Sequence, residues 1–138
     1  LAFAGAAEDI DPVKTMEHVT RIRNHMKSRF EKEINNIRIN GADDINSGSV
    51  LNVSFLGIRS EILLHYLESE GIYVSTGSAC STHKKQKSYV LEAMGRTHDE
   101  IDGAIRFSFS TYNTIEEADI VADAVKKYVD EIRKYTRK

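Results

Sequence analysis

Two long amphipathic helices near the ends of the chain constrain the fold most strongly. Asp11 and Pro12 are typical of a helix start, with an N-cap carboxylate followed by a proline in the first turn. Apolar residues then recur at steps of three and four, which predicts a helix over 12–34. A capping-box pattern at 114–117 starts the second helix. Its expected apolar side is Val121, Val125, Tyr128, Ile132 and Tyr135.

Short segments between these helices have the patterns of strands. Apolar and polar residues alternate at 37–40, 50–55 and 104–110, and a short apolar run at 72–74 precedes a small-residue segment. The polar residues at 41–49 predict a loop.

Shorter helices are predicted between the strands. Ser60 is expected to cap a helix that Gly71 closes, and Ser88 to open a short helix that Gly95 stops. A second capping box covers 97–100. The order is therefore helix, strand, strand, helix, strand, helices, strand, helix. This order favours an α+β fold, with a small mixed or antiparallel sheet of three to four strands packed against helices on one face.

Composition bounds the class of protein. With 138 residues, the chain fits one domain. A net charge of −2 gives no global field that favours nucleic acid or an anionic membrane. A single cysteine excludes an internal disulfide and fits a reducing cytosol. Residues 2–8 resemble the end of a helix, and we expect Leu1 to lie inside a longer polypeptide.

The only cysteine, Cys80, follows a run of small residues and precedes the basic run Thr82–Lys87. A structural cysteine usually lies in an apolar strand or helix, where it acts as a small hydrophobe. A thiol that is exposed and near positive charge has a larger thiolate fraction, and the thiolate is the reactive form. From the residues alone, both a structural and a chemical role for Cys80 stay open.

Arg106 is the second candidate residue. It lies in a predicted strand whose opposite face is Ile105, Phe107 and Phe109. It could simply point to solvent. Alternatively, the strand could hold its guanidinium rigidly to bind a carboxylate through two hydrogen bonds.

Other polar groups are weaker candidates. His83 has no second ligand at metal-binding spacing, and the remaining histidines are scattered, so zinc is not expected. The scattered histidines are His18, His25, His65 and His98. Lys84, Lys85 and Lys87 fit a solvated loop, a docking patch for an acidic partner, or a stabiliser of the Cys80 thiolate.

Several segments together resemble the NifS/IscS-like cysteine desulfurases, pyridoxal-phosphate enzymes of the class V aminotransferase superfamily. The matching segments are 49–55, 61–64, 73–81, 88–95, 104–108 and 113–119. The resemblance covers nearly the whole chain. It implies that residues 1–138 form the C-terminal small domain of a fold-type I pyridoxal-phosphate enzyme.

The resemblance also implies residue roles. Cys80 would attack the sulfur of a cofactor-bound substrate cysteine, which yields alanine and a persulfide on Cys80. Arg106 would bind the substrate α-carboxylate. We expect the family's large domain, which carries the Schiff-base lysine, to be absent from this chain, and we expect no cofactor to bind this chain alone. Lys84 follows a Ser-x-His pattern but lies just after the cysteine, so it is not the cofactor lysine. Lys87 also departs from the pattern, because the family often has proline there.

The full enzyme would be a cytoplasmic homodimer that delivers sulfur to an iron–sulfur scaffold or a tRNA thiolation enzyme. Two alternatives stay open. The chain could be a non-catalytic binding or sulfur-acceptor module. It could also belong to another class V aminotransferase-like enzyme that uses no cysteine chemistry.

Overall fold

The computed structural model describes residues 11–41, 48–76 and 89–136, with the backbone alone at 89–90. The expected helix end at 2–8, Cys80, His83, Ser88 and the three loop lysines lie outside these ranges. The elements, in chain order, are α1 (Pro12–Glu33), β1 (Ile37–Asn40), β2 (Val50–Phe55), α2 (Ser60–Ser69), β3 (Ser75–Thr76), α3 (Tyr89–Ala93), α4 (His98–Asp102), β4 (Ala104–Ser108) and α5 (Ile115–Thr136).

The strands form one antiparallel sheet of four strands in the order β1-β2-β4-β3. This arrangement confirms the predicted α+β class and selects the antiparallel form of the sheet. The central strands β2 and β4 pair over five positions, from Val50 opposite Ser108 to Ser54 opposite Ala104. The short strand β3 pairs with β4 at the edge of the sheet.

One face of the sheet carries the hydrophobic core. Phe30 of α1 is fully buried there, and its ring contacts Phe55 and Phe107 at centroid distances of 5.8 and 5.3 Å. Helices α2 and α5 add Leu63 and Val125, which are also fully buried. The alternation in β2 and β4 therefore directs the apolar side chains to this face and the polar ones to the other.

The prediction that all helices lie on one face was wrong. Ser54 points away from the core, and its hydroxyl donates to the backbone carbonyl of Glu100 in α4 at 2.5 Å. Helix α4 therefore contacts the polar face of β2. The hydroxyl of Ser54, buried on that face, needs an acceptor, and α4 supplies it.

Most predicted helix ends are confirmed. The Asp11 side chain accepts a hydrogen bond from the Val13 amide, and Thr97 and Glu100 form the predicted capping box. The Thr114 hydroxyl and the Glu117 carboxylate likewise bond to each other's backbone amides. Ser60, however, is the first helical residue and not the cap, because Arg59 holds the cap position without a side-chain hydrogen bond.

The predicted strand at 72–74 was wrong, and the end of α2 explains why. The Gly71 amide donates to the Glu68 carbonyl, and the Ile72 amide donates to the Leu67 carbonyl. Gly71 has a φ of 79°, so these bonds form a Schellman cap. Ile72 is buried as part of that cap, and the strand begins only at Ser75.

The last predicted apolar residue of α5 was also wrong, since Tyr135 is 75% exposed. The buried side of α5 instead consists of small residues near its start and ends at Ile132. Its buried residues are Ala118, Ala122, Ala124, Val125, Tyr128, Val129 and Ile132.

A charged cluster joins α1 to α5. The Arg29 guanidinium bonds Glu33 through two nitrogens, at 2.6 and 2.9 Å, and also contacts Asp119 and Asp123. His25 Nε2 donates to Asp119 Oδ1 at 2.7 Å. These contacts hold the two terminal helices side by side on the core face. Within the described ranges, no helix is both long and apolar enough to cross a membrane.

Candidate functional site

A row of polar residues crosses the face of the sheet opposite the core. Asn40 of β1 lies opposite Asn52 of β2, Asn52 lies opposite Arg106 of β4, and Arg106 lies opposite Ser75 of β3. One residue from each of the four strands therefore meets in a single line. Cross-strand neighbours have Cβ atoms about 4.5–5.5 Å apart, which is close enough for one small ligand to contact two of them.

Arg106 is the exposed cation of this row. Its neighbours in β4, Ile105 and Phe107, are buried in the core and fix the strand beneath it. No side-chain hydrogen bond or ion pair joins Arg106 to another residue in the described part of the chain. Its fork of guanidinium donors is therefore open to an anion.

Arg38 on the same face provides a contrast. Its Nη1 lies 3.1 Å from Oε1 of Glu100, so its charge is already paired. The Thr97 backbone amide donates to the Glu100 carboxylate and holds the pKa of Glu100 below its usual range, and Arg38 adds to this effect. Of these two strand arginines, only Arg106 is left with an unpaired guanidinium.

Cys80 lies outside the described residues, but the approach to it is described. Strand β3 ends at Thr76, four positions before Cys80, and Ser75 is the direct partner of Arg106. The chain therefore enters the Cys80 segment from the strand beside Arg106. That Cys80 and Arg106 act in one site stays a prediction.

The described histidines do not assemble into a site. His25 pairs with Asp119 and His18 contacts the Asn113 carbonyl, both at the α1–α5 side of the molecule. His65 and His98 contact Glu68 and Asp102 within their own helices. No group of three potential metal ligands occurs within 11–41, 48–76 and 89–136.

Sequence reasoning missed the two asparagines of the row. Asn40 is 4% exposed, and its Nδ2 donates to Asn52 Oδ1 at 2.9 Å and to Ser54 Oγ at 2.8 Å. The alternation in β2 placed Asn52 and Ser54 on one face but could not show which residue lies opposite them. The only signal was a pair of polar residues at alternate positions of a strand.

The sequence is similar to a known family over most of its length. Residues 2–121 match the family described as "Aminotransferase class-V". A cysteine desulfurase IscS from Mannheimia succiniciproducens is 38% identical over 118 residues, which is 86% of this chain and 28% of that protein. A cysteine desulfurase IscS from Dictyoglomus turgidum is 32% identical over 120 residues, 87% of this chain and 30% of that protein.

The fold is similar to solved structures of the same group. A NifS-like protein superposes with a TM-score of 0.73 at 29% identity, over 86% of this chain and 29% of the other. The cysteine desulfurase CsdA of Escherichia coli superposes with a TM-score of 0.71 at 20% identity, over 90% and 27% of the two chains, and supports the fold alone. The chain spans less than a third of the length of these proteins.

Proposed function

Because the chain belongs to the class-V aminotransferase family, we propose that residues 1–138 are the C-terminal small domain of a NifS/IscS-like cysteine desulfurase. The similarity to cysteine desulfurases over 86–87% of the chain supports this proposal. The full enzyme takes the sulfur of L-cysteine and passes it to an acceptor.

Arg106 binds the α-carboxylate of the substrate in this proposal. The observation that carries it is the unpaired, exposed guanidinium of Arg106, on a strand anchored in the core, whereas Glu100 already neutralises Arg38 on the same face. A carboxylate accepts two parallel hydrogen bonds from a guanidinium. A residue held on a strand also positions its ligand better than one on a loop.

Cys80 is the proposed sulfur acceptor within the enzyme. The Cys80 thiolate attacks the substrate sulfur and a sulfur–sulfur bond forms. The carbon–sulfur bond of L-cysteine breaks, and its electron pair stays on the β-carbon, which takes up a proton. L-Cysteine and the Cys80 thiol thus become L-alanine and a Cys80 persulfide, with all atoms conserved. Cys80 lies four positions after Thr76, the last residue of β3, and four residues span at most about 14 Å. This short connection supports a thiol that works close to Arg106.

The described residues do not by themselves fit a pyridoxal phosphate site. A cofactor of this kind needs a lysine to bind its aldehyde carbon. The described lysines lie on α1 and α5, which pack on the core side of the sheet, and none lies on the Arg106 face. In this proposal the cofactor's lysine lies in a large N-terminal domain. In this proposal the isolated chain turns over no cysteine.

The proposal extends to location and partners. The full-length enzyme is a cytoplasmic homodimer, and its persulfide passes to an iron–sulfur scaffold or a tRNA thiolation enzyme. The family and the similarity to IscS proteins support a cysteine substrate and a sulfur acceptor in general.

The test compares the full-length protein, its Cys80→Ser variant and the isolated chain, each with pyridoxal phosphate, L-cysteine and a thiol reductant. We expect alanine and sulfide from the wild type only, with mass spectrometry showing one added sulfur on Cys80 before reduction. Activity retained by Cys80→Ser would indicate a class V enzyme without cysteine chemistry. Sulfide released by the isolated chain would contradict its assignment as an incomplete domain.

A further inference from the structure

We propose that Asn52 is a second donor to the carboxylate that Arg106 binds. This inference rests on the proposed function of Arg106 and adds a residue that determines how the carboxylate is held. The register places Asn52 directly opposite Arg106 on the adjacent strand, on the same face of the sheet. Asn52 is half-buried, so a ligand on Arg106 can reach it.

The orientation of the Asn52 amide follows from a chain of hydrogen bonds with one possible direction. The backbone carbonyl of Glu100 can only accept, so the Ser54 hydroxyl must donate its single proton there. The Ser54 oxygen can then only accept from its other neighbour, which must be the Nδ2 of Asn40. This fixes which end of the Asn40 amide faces Ser54.

The same nitrogen of Asn40 also determines the orientation of the Asn52 side-chain amide. Its second proton points to Asn52, so the atom of Asn52 that receives it at 2.9 Å must be the acceptor Oδ1. Asn52 therefore keeps its Nδ2 donors for another group. Within the described ranges, Asn52 Nδ2 donates no hydrogen bond.

Asn40 is as buried as a core residue, but its polar side chain orients two neighbouring side chains. It is 4% exposed, and its Oδ1 has no hydrogen-bond partner in the described part of the molecule. An unpaired buried amide oxygen is unfavourable. In this position, however, Asn40 Nδ2 donates to both Ser54 and Asn52 and fixes the orientation of both side chains.

The pairing of Asn52 with Arg106 suits a carboxylate in particular. A carboxylate has about four acceptor sites on two oxygens, and a guanidinium fork uses two of them. A neutral amide beside the fork adds a third hydrogen bond without a second positive charge. Arg38, farther along the face, cannot compete for the ligand because Glu100 already pairs with it.

The experiment is an NMR titration of the 138-residue chain labelled with nitrogen-15, with L-alanine as the probe. L-Alanine carries the carboxylate of the proposed product and does not react. Concentrations up to about 100 mM suit the millimolar affinity that a few hydrogen bonds provide. We expect the Nδ2 resonances of Asn52 and the Nε resonance of Arg106 to shift with one shared Kd. Alaninamide, which lacks the carboxylate, should shift neither.

Variants separate a ligand contact from a structural role. Asn52→Ala should weaken L-alanine binding by at least about 10-fold, the lower end of the range for one hydrogen bond to a charged group. Asn52→Asp keeps an acceptor for Asn40, replaces the donor by an anion, and should weaken binding further. Ser108→Ala, two positions from Arg106 on the same face but outside the row, should leave the Kd unchanged.

The inference is overturned if the Arg106 resonance shifts while that of Asn52 does not, or if neither shifts. It is also overturned if Asn52→Ala and Ser108→Ala have the same Kd as the wild type. Neither outcome depends on sulfur transfer, which the full-length assay measures separately. If the desulfurase assay fails but Asn52 and Arg106 shift together in the titration, the proposed enzyme activity is rejected and the carboxylate site is retained.

Discussion

Gly103 lies directly against the backbone of Phe55, where the turn after α4 meets the end of β2. The Phe55 amide donates to the Gly103 carbonyl at 2.9 Å. A Cβ at position 103 would overlap the Phe55 carbonyl oxygen and lie 2.9 Å from its carbonyl carbon. The φ of Gly103 is −93°, so the position needs glycine for space and not for its backbone conformation.

Gly103→Ala should therefore lower the free energy of unfolding by about 3 kcal/mol, at the upper end of the cost of overpacking. The reason is that backbone, unlike a flexible side chain, cannot move aside without breaking the pairing of β2 with β4. Urea unfolding at pH 7 measures the change. Gly95→Ala is the control, because its Cβ meets open space and its φ of 75° costs only about 1–2 kcal/mol. Equal losses in both variants would contradict the steric account.

Phe30 organises the core between α1 and the sheet. It is fully buried and contacts the rings of Phe55 and Phe107. Phe30→Ala should reduce the free energy of unfolding by about 3–5 kcal/mol through lost burial and the cavity left behind. The matched control on the same helix is Met16→Ala, which is 46% exposed in the wild type and should change stability by no more than about 0.5 kcal/mol. A loss below about 1 kcal/mol for Phe30→Ala would contradict this packing.

Asp119 makes the contact between α1 and α5 sensitive to acid. The hydrogen bond from His25, and then that from Arg29, hold the pKa of Asp119 below its usual range. A carboxylate with a lowered pKa stabilises the fold above its unfolded-state pKa of about 3.9, and this contribution disappears as the pH falls through the lower folded-state value. Asp119→Asn should therefore be less stable than the wild type at pH 7, and the difference should shrink below about pH 4.

Unfolding curves at several pH values between neutral and about pH 2 measure this dependence. Asp130→Asn is the control, because Asp130 is exposed on the same helix and has no ion pair among the described residues. Its stability difference from the wild type should not follow the same acid transition. A constant gap between Asp119→Asn and the wild type over the whole range would show that the carboxylate charge is unimportant.

Arg106 should be dispensable for folding and needed for binding. Arg106→Gln removes an exposed, unpaired guanidinium and should alter the free energy of unfolding by no more than about 0.5 kcal/mol. In the full-length enzyme it should raise the KM for L-cysteine by about 10–100-fold, since two charged hydrogen bonds are lost. Arg106→Lys keeps the charge without the fork and should give a smaller rise. An unchanged KM in Arg106→Gln would remove Arg106 from the site.

The local pattern of the sequence determined the elements of this fold. The stripe of α1, the capping boxes before α4 and α5, and the alternation of β2 and β4 depend on neighbours within one turn or one strand. One of the failures was also local. The short apolar run at 72–74 has the pattern of a strand, but Ile72 instead completes the Schellman cap of α2 that follows from Gly71.

The roles proposed for Cys80 and Arg106 came from residue type, segment and family resemblance, all of which the sequence carries by itself. Only the tertiary structure decided that Arg38 is paired and Arg106 is not. Glu100 pairs with Arg38 because helix α4 packs on the face of the sheet opposite the core, where Arg38 lies. The structure alone also placed Asn40, Asn52 and Arg106 in one row. Strand register depends on contacts between distant parts of the chain, so no local pattern contains it.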